Sequence, residues 1–162
     1  MKYFFISLLF VLSLRIGAQT VITQKDFLPI AGKWTGTLTY LDYTSKDTVR
    51  IPANTLIELS GNNGYDQYLY YTAETDKNQK STYMISPDAK MLNDMSLVEK
   101  SSAADGSLQL IFESNGIDGN DRRPARFRHI ILLGEKNYSI TKLVRFEGEE
   151  AYFQRHRYQF GR

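Results

Sequence analysis

Two histidines, six clustered arginines and a group of tyrosines are the side chains whose types and spacing point to chemistry. His129 shares an alternating parity with Phe127, Ile131 and Leu133, and His156 shares one with Tyr152, Tyr158 and Phe160. On strands, both imidazoles point to an apolar face and can meet across neighbouring strands. Such a neutral pair would be a metal or haem contact. No third ligand stands at useful spacing, so a histidine bonded to a hydroxyl or backbone group is the simpler reading, and neither a metal nor a cofactor is expected. "RRPARFRH" holds Arg122, Arg123, Arg126 and Arg128, and "QRHR" holds Arg155 and Arg157. Arg126 and Arg128 share one strand face, as do Arg155 and Arg157. Turned inward, either pair needs an anionic partner, because a buried unpaired charge is costly. Turned outward, the pairs meet acids such as Glu113, Glu147 and Glu149. Tyr65, Tyr68, Tyr70, Tyr71 and Tyr83 either line a cavity with hydroxyls or serve as ordinary strand formers. The candidate ligand-contacting set is Tyr68, Tyr70, Tyr83, His129, Arg155 and Arg157.

No catalytic set accompanies these residues. "DGND" (Asp118 to Asp121) lacks the full spacing of a calcium loop and reads as a turn. The chain contains no G-x-S-x-G, no H-E-x-x-H, no phosphate loop and no dinucleotide fingerprint. An enzyme using a His/Tyr/Arg cluster at a barrel mouth is the least favoured reading.

The elements that must position these residues alternate with period two. In "KWTGTLTYLDY", Trp34, Gly36, Leu38 and Tyr40 oppose Lys33, Thr35, Thr37 and Thr39, giving one buried and one wet face. "TVRIPANTLIEL" puts Val49, Ile51, Ala53, Thr55, Ile57 and Leu59 on one side. Pro52 marks an edge, a bulge or a break there, since it cannot donate a ladder hydrogen bond. "YDQYLYYTA", "STYMIS" and "LQLIFES" follow as strands, and "ARFRHIILLG", "NYSITKLVRFEG" and "AYFQRHRYQF" complete the chain. "MLNDMSLVEK" also fits helical spacing, but its neighbours favour a strand. "NGIDGNDRRP" (Asn115 to Pro124) is the longest expected loop. Eight to ten short strands with short polar turns predict an all-β domain, a single antiparallel up-and-down β-barrel, with a β-sandwich as the alternative.

Composition bounds the partners. Met1-Lys2, then "YFFISLLFVLSL" and "RIGAQT", describe a secretory signal peptide over residues 1–18, with cleavage after Ala18. The apolar run is shorter than the ~20 residues of a permanent membrane helix. The barrel domain is expected over 19–162, exported to the periplasm or the extracellular space. The full chain carries 20 Lys+Arg against 18 Asp+Glu. Lys2 and Arg15 leave with the signal, so the mature domain is neutral overall. Nucleic acid thereby loses its usual electrostatic footprint. There is no cysteine, which excludes disulfides, thiolate metal sites and a lipid-modified cysteine.

Gly32-Lys33-Trp34, a G-x-W on the first strand, resembles the N-terminal signature of lipocalins and the wider calycin group. The resemblance implies that Trp34 plugs the closed barrel end, with Gly32 and Gly36 beside it. It also implies an arginine from a late strand over the indole, for which Arg145, Arg155 and Arg157 are the candidates. In fatty-acid-binding barrels an R-x-Y near the C-terminus holds a carboxylate. "RHRY" departs from that pattern, because adjacent Arg157 and Tyr158 face opposite sides. "GKWTGTLTYLDY", "GNDRRPARFRHI" and "FQRHRYQF" look like small exported lipocalin-like proteins typical of Bacteroidota, a group without a settled activity. The expected function is an exported binding protein holding one small apolar or amphipathic molecule. The alternative is a filled barrel that contacts another envelope or secreted protein.

Overall fold

A computed structural model of the chain describes residues 21–61 and 63–162; the expected export signal lies outside them. Ten strands follow one another: β1 (Gly32–Leu41), β2 (Thr48–Ser60), β3 (Gly64–Tyr71), β4 (Gln79–Met84), β5 (Met91–Leu92), β6 (Met95–Ser102), β7 (Leu108–Asp118), β8 (Arg123–Leu133), β9 (Asn137–Phe146) and β10 (Phe153–Gly161). They form one antiparallel sheet in the order β4-β3-β2-β1-β10-β9-β8-β7-β6-β5. Every step except β1–β10 joins consecutive strands, so the sheet is an up-and-down meander. The β1–β10 ladder, from Thr35↔Gly161 to Tyr40↔His156, curls it into a nearly closed barrel. A sandwich is thereby excluded.

The seam between β4 and β5 is thin. One bridge crosses it, Ile85↔Leu92. The Asn93 side chain reinforces it by accepting the Met84 N–H at 2.7 Å and donating to the Thr82 carbonyl at 3.0 Å. Asn93 itself sits at φ +55° in the β5–β6 turn, so "MLNDMSLVEK" is a hairpin and not a helix.

The alternation of the sequence becomes the inside and outside of the barrel. Trp34 and Leu38 of β1 are buried, as are Ala53, Thr55 and Ile57 of β2 and Leu110 and Phe112 of β7. Pro52 does not break β2. The β3 ladder ends at Ala53↔Tyr71, so Pro52 has a partner strand only on its β1 side and owes no hydrogen bond to β3. "NGIDGNDRRP" is not a long loop. The β7–β8 ladder runs on to Asp118↔Arg123, and only Gly119 to Arg122 turn the chain. Gly119 and Arg122 supply the left-handed backbone conformations (φ +82° and +55°) that make so tight a reversal possible.

Two 3-10 helices have no counterpart in the alternation: a single turn, Thr75–Lys77, between β3 and β4, and a longer one, Gln24–Ile30, ahead of β1. The Asp26 carboxylate accepts the Thr23 N–H at 2.7 Å and an ion pair from Lys100 at 2.8 Å. The helix turns Phe27 and Ile30 inward, both essentially inaccessible to solvent, and so closes one end of the barrel. A second, smaller apolar cluster of Ala125, Val144 and Phe146, packed by Tyr43, Phe127 and Phe153, lies toward the other end.

Candidate functional site: the barrel lumen

Trp34 is the stopper of the closed end. It is 2% exposed, and its Nε1 donates to the Ile30 carbonyl of the covering helix at 2.7 Å. Tyr138 meets the indole edge-on at 5.2 Å, and Phe160 stacks on Tyr138 at 4.8 Å. The arginine over the indole is none of the three expected. It is Arg162, the final residue, whose Cζ stands 4.1 Å from the ring centroid. The Arg162 guanidinium also donates to the carbonyls of Pro29, Ala31 and Glu135, so it ties the helix to β1 and to the β8–β9 turn. Arg145 and Arg157 lie on outward-facing positions of their ladders, and Arg155 lies at the other end of β10. Gly36 serves the plug through Phe160. A side chain there would come within 2.7 Å of that ring and 2.1 Å of the Gln159 carbonyl oxygen.

The lumen changes character away from the plug. In register across three strands lie His129 of β8, Lys142 of β9 and His156 of β10. The two histidines are therefore not on neighbouring strands, because a lysine separates them. Lys142 Nζ donates to Asp118 Oδ2 at 2.9 Å and stands 3.9 Å above the Phe127 ring. Burial, and then the Lys142 charge, push both imidazoles down to about 4, which keeps them neutral at ordinary pH. Burial acts to raise the Asp118 pKa, but the hydrogen bonds from Lys142 and the Gly119 N–H, with the Lys142 charge, hold it below the usual carboxylate value. Among the described residues, no group of three or more His, Asp or Glu is placed to hold a metal ion.

Arg155 reaches this row through a bulge. The β9–β10 register shifts between Gln154 and His156, leaving Arg155 as the extra residue. Its Nη1 donates to the Leu41 carbonyl, its Nε lies 3.8 Å from Asp118 Oδ1, and its Cζ sits 4.2 Å above the Tyr43 ring. Burial and the nearby Asp118 charge raise the Tyr43 hydroxyl to about 12. The bulge also breaks the parity expected of the last strand. Arg157, paired with Thr39 and Thr141, faces outward. Tyr152 lies outside too, flanked by Arg128 at 4.7 Å and Arg145 at 4.9 Å.

Two cavities flank the histidine–lysine row. One, of about 410 Å³, has Tyr65, Tyr83, Phe127, Ile131 and Ile140 on its apolar wall and His129, Asn93, Asp94, Ser114 and Asn115 as its polar residues. Tyr83 stacks on Tyr65 at 4.8 Å, and burial raises both hydroxyl pKa values. The other, of about 350 Å³, has Leu38 and Ile51 on its wall and Arg155 and His156 among its polar residues. Of the six expected contacts, Tyr83 and His129 meet at the first cavity, and Arg155 lines the second. Tyr68, Tyr70 and Arg157 do not face the lumen. On β3 the inward parity belongs to Tyr65, Gln67, Leu69 and Tyr71, all buried, while Tyr68 lies beneath Lys80 and Tyr70 is 41% exposed. The Arg126–Arg128 pair is also outside, where both guanidiniums bond to Glu113 at 2.5–2.9 Å.

Sequence alternation does not single out Lys142 or Asp118 as ligand contacts. Lys142 had a signal: it shares its parity with Tyr138, Ile140, Val144 and Phe146, so a charge was written into an apolar face. Asp118 had none, since it read as part of a loop.

No family model and no curated protein matches the sequence. Among solved structures, Rv2717c from M. tuberculosis is similar with a TM-score of 0.56 and 11% identity, over 88% of this chain and 99% of that one. A protein of unknown function from the DUF3598 family of Nostoc punctiforme gives a TM-score of 0.46 at 11% identity, over 89% of this chain and 50% of that longer one. At such identity the likeness to Rv2717c is one of fold: a nearly closed antiparallel barrel of lipocalin-like type. Neither neighbour bears on the resemblance to Bacteroidota proteins.

Proposed function

We propose that this protein is an exported binding protein that holds one small apolar or amphipathic molecule in the barrel lumen. The observation that carries the reading is the cavity of about 410 Å³, with aromatic and aliphatic side chains on one wall and a few polar groups, among them a neutral His129 and Asp94, on the other. Small-molecule sites have this composition and fall within roughly 300–1,000 Å³. An apolar wall rewards transfer of the ligand from water, and a neutral imidazole offers one donor and one acceptor to its polar end. The opposite end is stoppered by Trp34, so the ligand meets a firm floor. The apolar segment in residues 1–18 supports export of the domain.

Native mass spectrometry of the protein purified from its own host tests the reading. A single small-molecule adduct is expected per chain, and the mature chain is expected to begin at Gln19. In Ile140→Trp the larger ring fills the cavity, and the adduct should be lost while the far-ultraviolet circular dichroism of the barrel is kept. A bare wild-type mass, or an adduct that survives the filled cavity, would refute binding at this place.

A further inference from the structure

Tyr71 lines the smaller chamber, of about 350 Å³, and its hydroxyl oxygen stands 2.6 Å from that of Tyr158. Both rings are held. Tyr71 is 7% exposed, and Tyr158 meets His156 edge-to-face at 5.5 Å and stacks with Phe160 at 5.9 Å. Two phenol hydroxyls bring two hydrogens, and only one hydrogen fits between the two oxygens. Whichever tyrosine donates, the other keeps a hydrogen with no acceptor. Among the described residues, neither hydroxyl has a further hydrogen-bond partner on the protein. A part-buried donor of this kind gains from an acceptor supplied from outside the chain.

The charged groups around the chamber are already matched. Lys142 pairs with Asp118 at 2.9 Å. The Arg155 charge acts on Asp118, 3.8 Å away, and on Asp42, and its guanidinium also donates to the Leu41 carbonyl. Lys77 pairs with Asp76 at 3.3 Å, both mostly exposed, and Glu74 is exposed too. Asp94 belongs to the larger cavity and faces water. His156 is neutral at ordinary pH. An ionic head group entering here would shed its water without meeting a buried, unmatched opposite charge. An uncharged oxygen sheds less and gains the waiting hydroxyl.

We propose that the chamber lined by Leu38, Ile51, Tyr71 and His156 seats an uncharged carbonyl oxygen of the ligand, which accepts the free hydrogen of the Tyr71–Tyr158 pair. This rests on the reading of the barrel as a binding protein and specifies the polar end of what it binds: a ketone, ester or amide, not an ion. Leu38 and Ile51 give the adjoining alkyl group an apolar wall.

Isothermal titration calorimetry at neutral pH compares 2-decanone with decanoate and decylammonium, which match its chain length and differ in head group. The ketone is expected to bind the wild type most tightly. In the double variant Tyr71→Phe, Tyr158→Phe both hydroxyls leave together, so neither is orphaned and the rings still pack. The ketone should then bind about fivefold more weakly, the factor that one neutral hydrogen bond is worth. The apolar fluorophore N-phenyl-1-naphthylamine, which has no carbonyl, should bind both proteins alike. Infrared spectra of the wild-type complex should show the ketone C=O stretch below its position in hexane, a reading that decides the matter even where the variant folds poorly. An ionic head group that binds as tightly as the ketone, an undiminished ketone affinity in the double variant, or an unshifted stretch overturns the carbonyl site; with the fluorophore still bound, the binding barrel stands. Absence of binding by ketone and fluorophore alike overturns both.

Discussion

Lowering the pH should destabilise this barrel well before its carboxylates titrate. In the unfolded chain a histidine takes up a proton near its ordinary value of 6.5, whereas in the fold both imidazoles resist protonation until about 4. Between those values the unfolded state binds more protons, so stability falls as the pH falls. The direction follows from burial of the neutral rings and from Lys142 standing between them. Integrating the uptake from about pH 7.5 to about pH 5 gives about 2 kcal/mol per histidine as an upper figure. Both rings keep some contact with solvent and share one lysine, so about 3 kcal/mol for the pair is the expected loss. Urea unfolding followed by the fluorescence of Trp34 at the two pH values measures it directly. The m-value should stay constant, as the surface exposed does not change. The double variant His129→Gln, His156→Gln should lose most of the pH dependence over this interval. A wild type that loses less than about 0.5 kcal/mol, or a double variant with an undiminished slope, would refute the argument that two neutral histidines are held there.

Three further substitutions probe the architecture. Trp34→Ala removes the stopper and its bond to Ile30, and thermal melting should show a loss of about 3–5 kcal/mol; unchanged stability would mean that the indole does not close the barrel. Gly36→Ala drives a methyl group against the Gln159 carbonyl and the Phe160 ring, and should cost about 1–3 kcal/mol by prying β1 from β10, again by urea unfolding. Asn93→Ala deletes both side-chain bonds across the seam, and should cost about 1–3 kcal/mol and speed amide hydrogen exchange in β4 without affecting β9. A uniform acceleration would show that the seam opens only with the whole barrel.

Much of the fold is written in the alternation of the sequence. The inward rows of β1, β2 and β7 can be read directly from Trp34, Leu38, Ala53, Ile57, Leu110 and Phe112, because a strand must present every second side chain to the same face. The stopper was legible for the same reason: a large indole flanked by glycines at the start of an alternating run must be accommodated inside. The covering helix was less so, since a 3-10 turn of seven residues with Pro29 inside carries no periodicity to detect.

The candidate site was only half legible, and the reason is local. Period two fixes faces only while the register runs unbroken. The bulge at Arg155 breaks it, which turns Arg155 toward the lumen and leaves Arg157 outside although they stand two positions apart. Nor does sequence say which strands become neighbours. The pairing of β8, β9 and β10 places Lys142 between two histidines that lie 27 residues apart in the chain. The amino-acid order by itself determined an all-β chain with one wet and one apolar face and an aromatic plug. Tertiary structure alone decided which charges share the lumen, because Asp118, Lys142 and Arg155 stand on three different strands, β7, β9 and β10, and meet only in the folded sheet.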